Sequence, residues 1–204
     1  MQNTTSRVNM VKMAQLAILT AIVLVFQLAG IAIRLPFLAT PVSLVLIPIV
    51  IGALLLGPRA GAWLGFVFGA EVVIVCGVMA TDPFTATLFQ DHPVLTTLLC
   101  IGKGVAAGVL PAFVYRALKK GNEWVALFLA SAAAPIANTG VFILGSYTMM
   151  DTFQSNFLGE GTSMFYFLVI VCAGLNFLVE LAINILFTPA IHRVILAVGN
   201  RIRH

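Results

Sequence analysis

The stretch RAGAWLGFVFGAEVVIVCGVMA, residues Arg59–Ala80, decides the fold class of this chain. Apart from Arg59 at its start, its only charged residue is Glu71. A helix that crosses a bilayer needs roughly 20 mainly apolar residues, and this stretch supplies them. The stretch therefore predicts a membrane-spanning helix that carries a carboxyl group within the hydrocarbon layer.

The rest of the chain repeats this pattern. Apolar residues make up 61% of the sequence and charged residues 9%, whereas a soluble domain is about half apolar and a quarter charged. The apolar runs are continuous, which argues against the alternating strands of a membrane barrel. The sequence predicts one all-α integral membrane domain, residues 1–204, with six transmembrane helices. The five further stretches are Val11–Ile33, Pro41–Leu56, Val94–Leu118, Trp124–Tyr147 and Ser163–Phe187.

The charges outside these stretches separate by side. One side carries Asp82, Asp91, Asp151 and Glu160, with Arg34 as its only basic residue. By the positive-inside rule both termini are expected to be cytoplasmic. The net charge of +4 is thus a topology signal, and no face of the chain suggests nucleic-acid binding. The basic residues of the other side are Arg7, Lys12, Arg59, Arg116, Lys119, Lys120, Arg193, Arg201 and Arg203.

Proline and the connections between segments give further expectations. The stretches Thr81–Pro93 and Met149–Thr162 are predicted to be long external connections, either passive or involved in binding. Pro189 is predicted to end or kink the sixth helix. The tail that follows, Ala190–His204, is expected to lie along membrane lipid with its basic residues toward the headgroups.

Small residues recur every four positions on three of the segments. Close approach of helix backbones in lipid favours such spacing. For the glycines, packing within the chain is the preferred interpretation. For Ala17 and Ala21 in the first segment, a flat surface for a separate membrane partner is an equal alternative. The glycines are Gly61, Gly65, Gly69, Gly104 and Gly108.

Polar residues inside the segments are candidates for function, because a charge in the bilayer is costly and rarely incidental. Helix rise places Glu71, Lys103 and Asn138 roughly 9 to 14 Å from the outer surface. Asn176 and Glu180 lie deeper, one turn apart on the sixth segment. The sequence therefore predicts an outward-facing pocket where three segments converge.

Each candidate has a chemical role and an alternative. Lys103 would bind an anion, and Asn138 would bond an amide or hydroxyl. Glu71 would orient Lys103 or accept a substrate donor, or else form a structural ion pair with it. Arg34 would add positive charge at the mouth or snorkel to the interface. Phe68 and Tyr147 are candidate apolar walls, Asn176 a further polar contact, and Glu180 is predicted to be structural.

The sequence contains no pattern typical of a catalytic site or a metal site. Cys76, Cys100 and Cys172 lie inside helical segments without metal-ligand spacing. His92 and His192 belong to opposite membrane sides. No Walker A loop or nucleophile elbow is present, so the chain is expected to be no enzyme and to hold no cofactor.

The chain resembles the substrate-binding membrane subunit, or S component, of energy-coupling factor (ECF) vitamin transporters. The resemblance covers nearly the whole chain and rests on four pieces in this order. They are Ala17-Ile18-Leu19-Thr20-Ala21, Leu56-Gly57-Pro58-Arg59-Ala60-Gly61, Asn138-Thr139-Gly140 and Asn176-Phe177-Leu178-Val179-Glu180.

The resemblance implies binding of one micronutrient in an outward pocket, in the cell membrane of a prokaryote. It implies docking through Ala17 and Ala21 onto a transmembrane T component, which two cytoplasmic ATPase subunits drive. ATP and Mg would then be held by those partners. It also implies that Lys103 and Asn138 occupy positions where family members commonly place pocket residues.

Among subtypes the chain looks most like pantothenate-type members. One lysine and one asparagine in an apolar cavity suit a ligand with a carboxylate, an amide and hydroxyls. Few aromatic residues at that depth argue against flat vitamins such as riboflavin or folate, although Phe68, Phe84 and Tyr147 are available for stacking. Other vitamins, pyridoxine among them, stay open. So do a stand-alone ion-coupled carrier that uses Glu71, Lys103 and Glu180 as a relay, and a structural or regulatory membrane protein.

Overall fold

A computed structural model describes residues 2–32, 44–159 and 161–202, and within them the regular secondary structure is entirely helical, with no strand. Arg34 and Glu160 lie outside the described residues. The α-helices are α1 Gln2–Ala32, α2 Leu46–Leu56, α3 Pro58–Glu71, α4 Pro83–Asp91, α5 Pro93–Leu118, α6 Glu123–Ser146, α7 Met150–Asn156, α8 Met164–Tyr166 and α9 Leu175–Ile202. Two π-helical segments, Val72–Val78 and Phe167–Gly174, extend α3 and join α8 to α9.

Five helical stretches of the described chain are long and apolar enough to cross a membrane. They match five of the six predicted segments, and the all-α membrane class is confirmed. The second predicted segment is represented by α2, which has 11 residues and is shorter than a span. The count of six spans therefore stays a prediction. The five stretches are Asn9–Gly30, Pro58–Val78, Pro93–Leu118, Glu123–Asn156 and Met164–Val198.

Glycines hold α3 against α5. A Cβ atom added at Gly61 would collide with the carbonyl oxygen of Gly108, and one added at Gly65 would collide with that of Gly104. The two backbones thus touch where side chains are lacking, which is how helices pack closely in lipid. The prediction of packing within the chain is confirmed for these glycines.

Basic residues gather at one end of the bundle. Gly57, whose φ of +98° suits glycine in the turn between α2 and α3, lies beside the Arg116 guanidinium at the end of α5. The Tyr115 hydroxyl donates to Glu123 Oε1 at 3.2 Å, which ties the end of α5 to the start of α6. The ring of His192 on α9 lies 4.5 Å from that of Trp124 on α6. These contacts bring the predicted basic turns together.

Two predicted connections at the other end are helical, which corrects the expectation of loops. Asp82 caps α4 by accepting from the Thr85 backbone N–H at 2.9 Å, and Pro83 occupies the first turn. His92 Nε2 lies 2.9 Å from Asp151 Oδ2 on α7, so the two short helices are joined. Below them the rings of five phenylalanines pack together: Phe84, Phe142, Phe153, Phe157 and Phe167.

Of the two outcomes predicted for Pro189, an end or a kink of the sixth helix, the end is wrong. α9 continues through Pro189 as far as Ile202. Proline is tolerated within membrane helices because neighbouring side chains and local adjustments satisfy the freed backbone groups. Immediately before it, the Thr188 hydroxyl donates to the Asn184 carbonyl at 3.0 Å.

Candidate functional site

A cavity lies where α1, α3, α5, α6 and α9 meet beneath α4, and its volume is about 70 Å³. Ligand pockets in proteins commonly enclose about 300 to 1,000 Å³, so a vitamin-sized molecule requires the residues around this cavity to move apart. The lining residues are Gln27, Phe68, Val72, Cys76, Asp82, Thr85, Lys103, Asn138, Thr139, Phe142, Cys172, Ala173, Asn176, Phe177 and Glu180.

Lys103 supplies the positive charge of this cavity. Its Nζ lies 6.0 Å from the centre of the Phe68 ring and 5.6 Å from that of Phe142. No ion pair joins it to any acidic residue in the described part of the chain. Phenyl faces attract a cation but satisfy none of its hydrogen-bond donors. Its ammonium is therefore suited to receive an anion.

Two amide side chains lie among the lining residues. Asn138 on α6 is 7% exposed, and its Oδ1 has no hydrogen-bond partner in the described chain. Gln27 on α1 is 6% exposed, and no hydrogen bond joins its amide to another described residue. A buried polar atom without a partner costs free energy. Both amides therefore offer hydrogen bonds to a bound molecule.

Acidic groups occupy two other parts of the lining. Asp82 is buried, and its Oδ2 accepts from the Thr85 hydroxyl at 2.7 Å as well as from the backbone N–H. Glu180 on α9 is 1% exposed. The described lining therefore combines the Lys103 cation with carboxylates and amides, as a ligand with both an anionic group and hydrogen-bond donors requires.

A polar stripe on α9 continues from the cavity toward the basic end of the bundle. The Asn184 side-chain Nδ2 donates to the Glu180 carbonyl at 2.9 Å, while its Oδ1 has no partner in the described chain. Ser131 of the neighbouring α6 is likewise fully buried, with an unpartnered Oγ. The stripe has a spacing of four residues: Asn176, Glu180, Asn184, Thr188 and His192.

Both π-helical segments contribute to the cavity wall. Val72 and Cys76 belong to the first, and Cys172 and Ala173 to the second. π-Helical turns occur frequently at functional sites, since they redirect side chains within a continuous helix. Among the described residues, no three His, Cys, Asp or Glu side chains form a group able to hold a metal ion.

The structure brings four of the seven predicted substrate-binding residues to one wall: Phe68, Lys103, Asn138 and Asn176. Glu71 is buried outside the lining, forms no ion pair with Lys103, and its Oε2 has no partner in the described chain. Tyr147 is 38% exposed and lies off the cavity. Arg34 falls outside the described residues.

The predicted docking residues Ala17 and Ala21 are both exposed on α1. The opposite face of that helix carries its buried residues, Leu19, Val23 and Gln27. The described part of the chain therefore leaves the alanine pair uncovered.

Sequence reasoning missed several lining residues. Gln27 had a usable signal, since it is an amide deep inside an apolar stretch. Asp82 also had a usable signal, because Asp followed by Pro is typical of a helix start rather than of a loop. Phe142 and Phe177 had none, because aromatic residues are common on every face of a membrane helix. Together with Phe68 they place three phenyl rings in the cavity lining, more than the sequence led us to expect.

Comparison with known proteins agrees with this geometry. Residues 11–192 match the family described as "ECF transporter, substrate-specific component". The chain is 32% identical over 190 residues to "Pantothenic acid transporter PanT" of Lactococcus lactis subsp. cremoris (strain MG1363), an alignment that covers 87% of this chain and 90% of that protein. No solved structure matches the chain. The chain therefore belongs to the substrate-specific components of ECF transporters, which are multi-pass proteins of the plasma membrane.

Proposed function

We propose that this chain binds pantothenate and delivers it to an ATP-driven ECF uptake system. The 32% identity to a protein named as a pantothenic acid transporter supports the choice of vitamin. The observation that carries the proposal is the Lys103 ammonium, which faces two phenyl rings inside the cavity and has no acidic partner among the described residues.

The chemistry of pantothenate suits the lining. Its carboxylate pairs with Lys103 through a charge-assisted hydrogen bond. Its amide N–H donates to Asn138 Oδ1, which otherwise lacks a partner in the described chain. Its two hydroxyls turn toward Asp82 and Thr85. The geminal methyl groups pack against the apolar part of the wall.

The assembly follows from the family. In this proposal the second span includes residues 41–56, and both termini are cytoplasmic. Ala17 and Ala21 dock onto a transmembrane T component that two ATPase subunits drive. The chain itself catalyses no reaction and holds no cofactor, because ATP and Mg bind to those subunits. The gathering of basic residues at one end of the bundle supports the orientation.

Calorimetric titration of the purified chain with pantothenate tests the proposal. Lys103→Met should weaken binding by about 10- to 100-fold, the loss of one charged hydrogen bond. Lys119→Met is the matched control, since Lys119 also lies 5.9 Å from an aromatic ring, that of Tyr115, but outside the cavity. The control should bind pantothenate as the unaltered chain does.

Other outcomes would redirect the proposal. Tight binding of riboflavin, folate or pyridoxine in place of pantothenate would keep the family and replace the vitamin. Uptake into vesicles that lack the partner subunits, driven by a proton gradient, would favour an ion-coupled carrier. Equal binding by Lys103→Met and Lys119→Met would remove Lys103 from the site.

A further inference from the structure

α1 is the least enclosed of the five long helices. Within its apolar window 17% of the residues are buried, against 56% for Pro58–Val78. A helix with few buried contacts is held weakly and moves at low cost in free energy. Its described hydrogen bond to the bundle runs from Trp63 Nε1 to Thr20 Oγ1 at 3.3 Å, near mid-helix.

Gln27 brings α1 into the cavity. Among the described lining residues it is the one that α1 contributes, and the residue is 6% exposed. The other polar residues of the described lining come from the helices behind it, so a ligand that bonds Gln27 bridges α1 to the rest of the bundle. Beyond Thr20, the outer half of α1 contributes Val23 to the apolar core of the described bundle.

We infer that Gln27 hydrogen-bonds the bound ligand and thereby fixes the outer half of α1 against the bundle. A ligand that contacts a weakly held element stabilises the conformation in which that contact exists. The ligand class follows from the amide, which needs a group that both accepts and donates, such as a hydroxyl or a secondary amide. Gln27 thus contacts the ligand, and through this contact ligand binding in the cavity fixes α1.

This inference rests on the proposed function and adds a regulatory consequence to it. α1 presents Gln27 to the cavity and Ala17 and Ala21 to the outside, on different faces of one rigid rod. Fixing the helix therefore also fixes the surface proposed for the T component. Because such coupling is reciprocal, docking at that surface would change the affinity for the vitamin by the same factor.

Hydrogen exchange of the purified full-length chain, with and without saturating pantothenate, tests the inference. In the unaltered chain the vitamin should slow exchange between Leu19 and Gly30 by about tenfold or more. Gln27→Leu should weaken pantothenate binding by about five- to tenfold, the loss of one neutral hydrogen bond. At saturation it should lose the protection of α1 while α5 and α6 keep theirs.

The matched control is Gln15→Leu, which alters the same residue type on the same helix outside the cavity. It should keep both the affinity and the vitamin-dependent protection. Full protection of α1 in Gln27→Leu, or no protection in the unaltered chain, overturns the inference. If another vitamin binds in place of pantothenate and protects α1 only when Gln27 is present, the inference stands and the proposed substrate falls.

Discussion

Lys103 places a positive charge between phenyl rings in the middle of a membrane bundle. Insertion scales assign roughly 2.5 to 3.5 kcal/mol to such a charge at mid-bilayer. The contacts with Phe68 and Phe142 offset part of this cost, since a desolvated cation over a ring gains about 2 kcal/mol at best. A lysine without an acidic partner in the described chain is costly for the fold, which supports its proposed role in ligand binding.

Asn138 offers a test in which stability and affinity move in opposite directions. Asn138→Leu removes a buried oxygen that has no partner in the described chain, so the melting temperature should be unchanged or raised. The same change should weaken pantothenate binding about fivefold or more, because the ligand loses an acceptor. Thermal unfolding and titration of one sample give both values.

Ser131→Ala is the control for Asn138. Ser131 lies two turns away on the same face of α6, is fully buried, and has an unpartnered Oγ outside the cavity. It should behave like Asn138→Leu in thermal unfolding and like the unaltered chain in titration. A joint fall of stability and affinity in Asn138→Leu would instead assign Asn138 to the fold.

Depth along a helix could be predicted from the sequence, and the direction of a side chain could not. A fixed rise per residue is sufficient to bring Lys103 and Asn138 to one level. Which face looks inward depends on the neighbouring helices, and so Gln27, which lines the cavity, was missed, whereas Tyr147, which was predicted, lies off it. Glu71 is likewise buried beside the cavity rather than in its wall.

At the scale of elements, the contact between α3 and α5 positions the cation. Lys103 lies next to Gly104, whose backbone touches that of Gly65. Gly65→Ala would push a methyl group into the Gly104 carbonyl, and overpacking of this kind costs about 1 to 3 kcal/mol. We expect a clear fall in melting temperature and a weaker vitamin site in the same variant.

Gly140→Ala is the control for Gly65. A Cβ atom there meets nothing within 4 Å, and alanine favours a helix by up to about 1 kcal/mol over glycine. Its melting temperature should stay equal or rise. If the two alanine variants unfold alike, the glycine contact does not hold α3 against α5.

The short helices above the cavity show where sequence patterns mislead. Proline and polar residues in Thr81–Pro93 suggest a loop, yet Asp82 and Pro83 form a helix start. Such a helix-start signal can be recognised once the segment is considered as a separate helix rather than as a connection. The π-helical segments have no such signal, because their hydrogen bonding reflects how the bundle packs around the cavity.

For the whole molecule, charge and composition were the reliable guides. The membrane class follows from composition, and the grouping of basic turns follows from where basic residues occur along the chain. Neither depends on how the helices pack against one another. The second segment was the exception, since α2 alone is too short to span a bilayer of about 30 Å. The start of the second predicted segment falls within residues 33–43, which lie outside the described residues.

Selection of a carboxylate ligand by the half-buried Lys103 is tested by comparing two ligands on one unaltered protein. Purified chain is titrated with pantothenate and with pantothenol, which carries a hydroxyl where pantothenate carries the carboxylate. We predict that pantothenate binds about 10- to 100-fold more tightly, the contribution of the charged hydrogen bond to Lys103. Equal affinities for the two would contradict the claim.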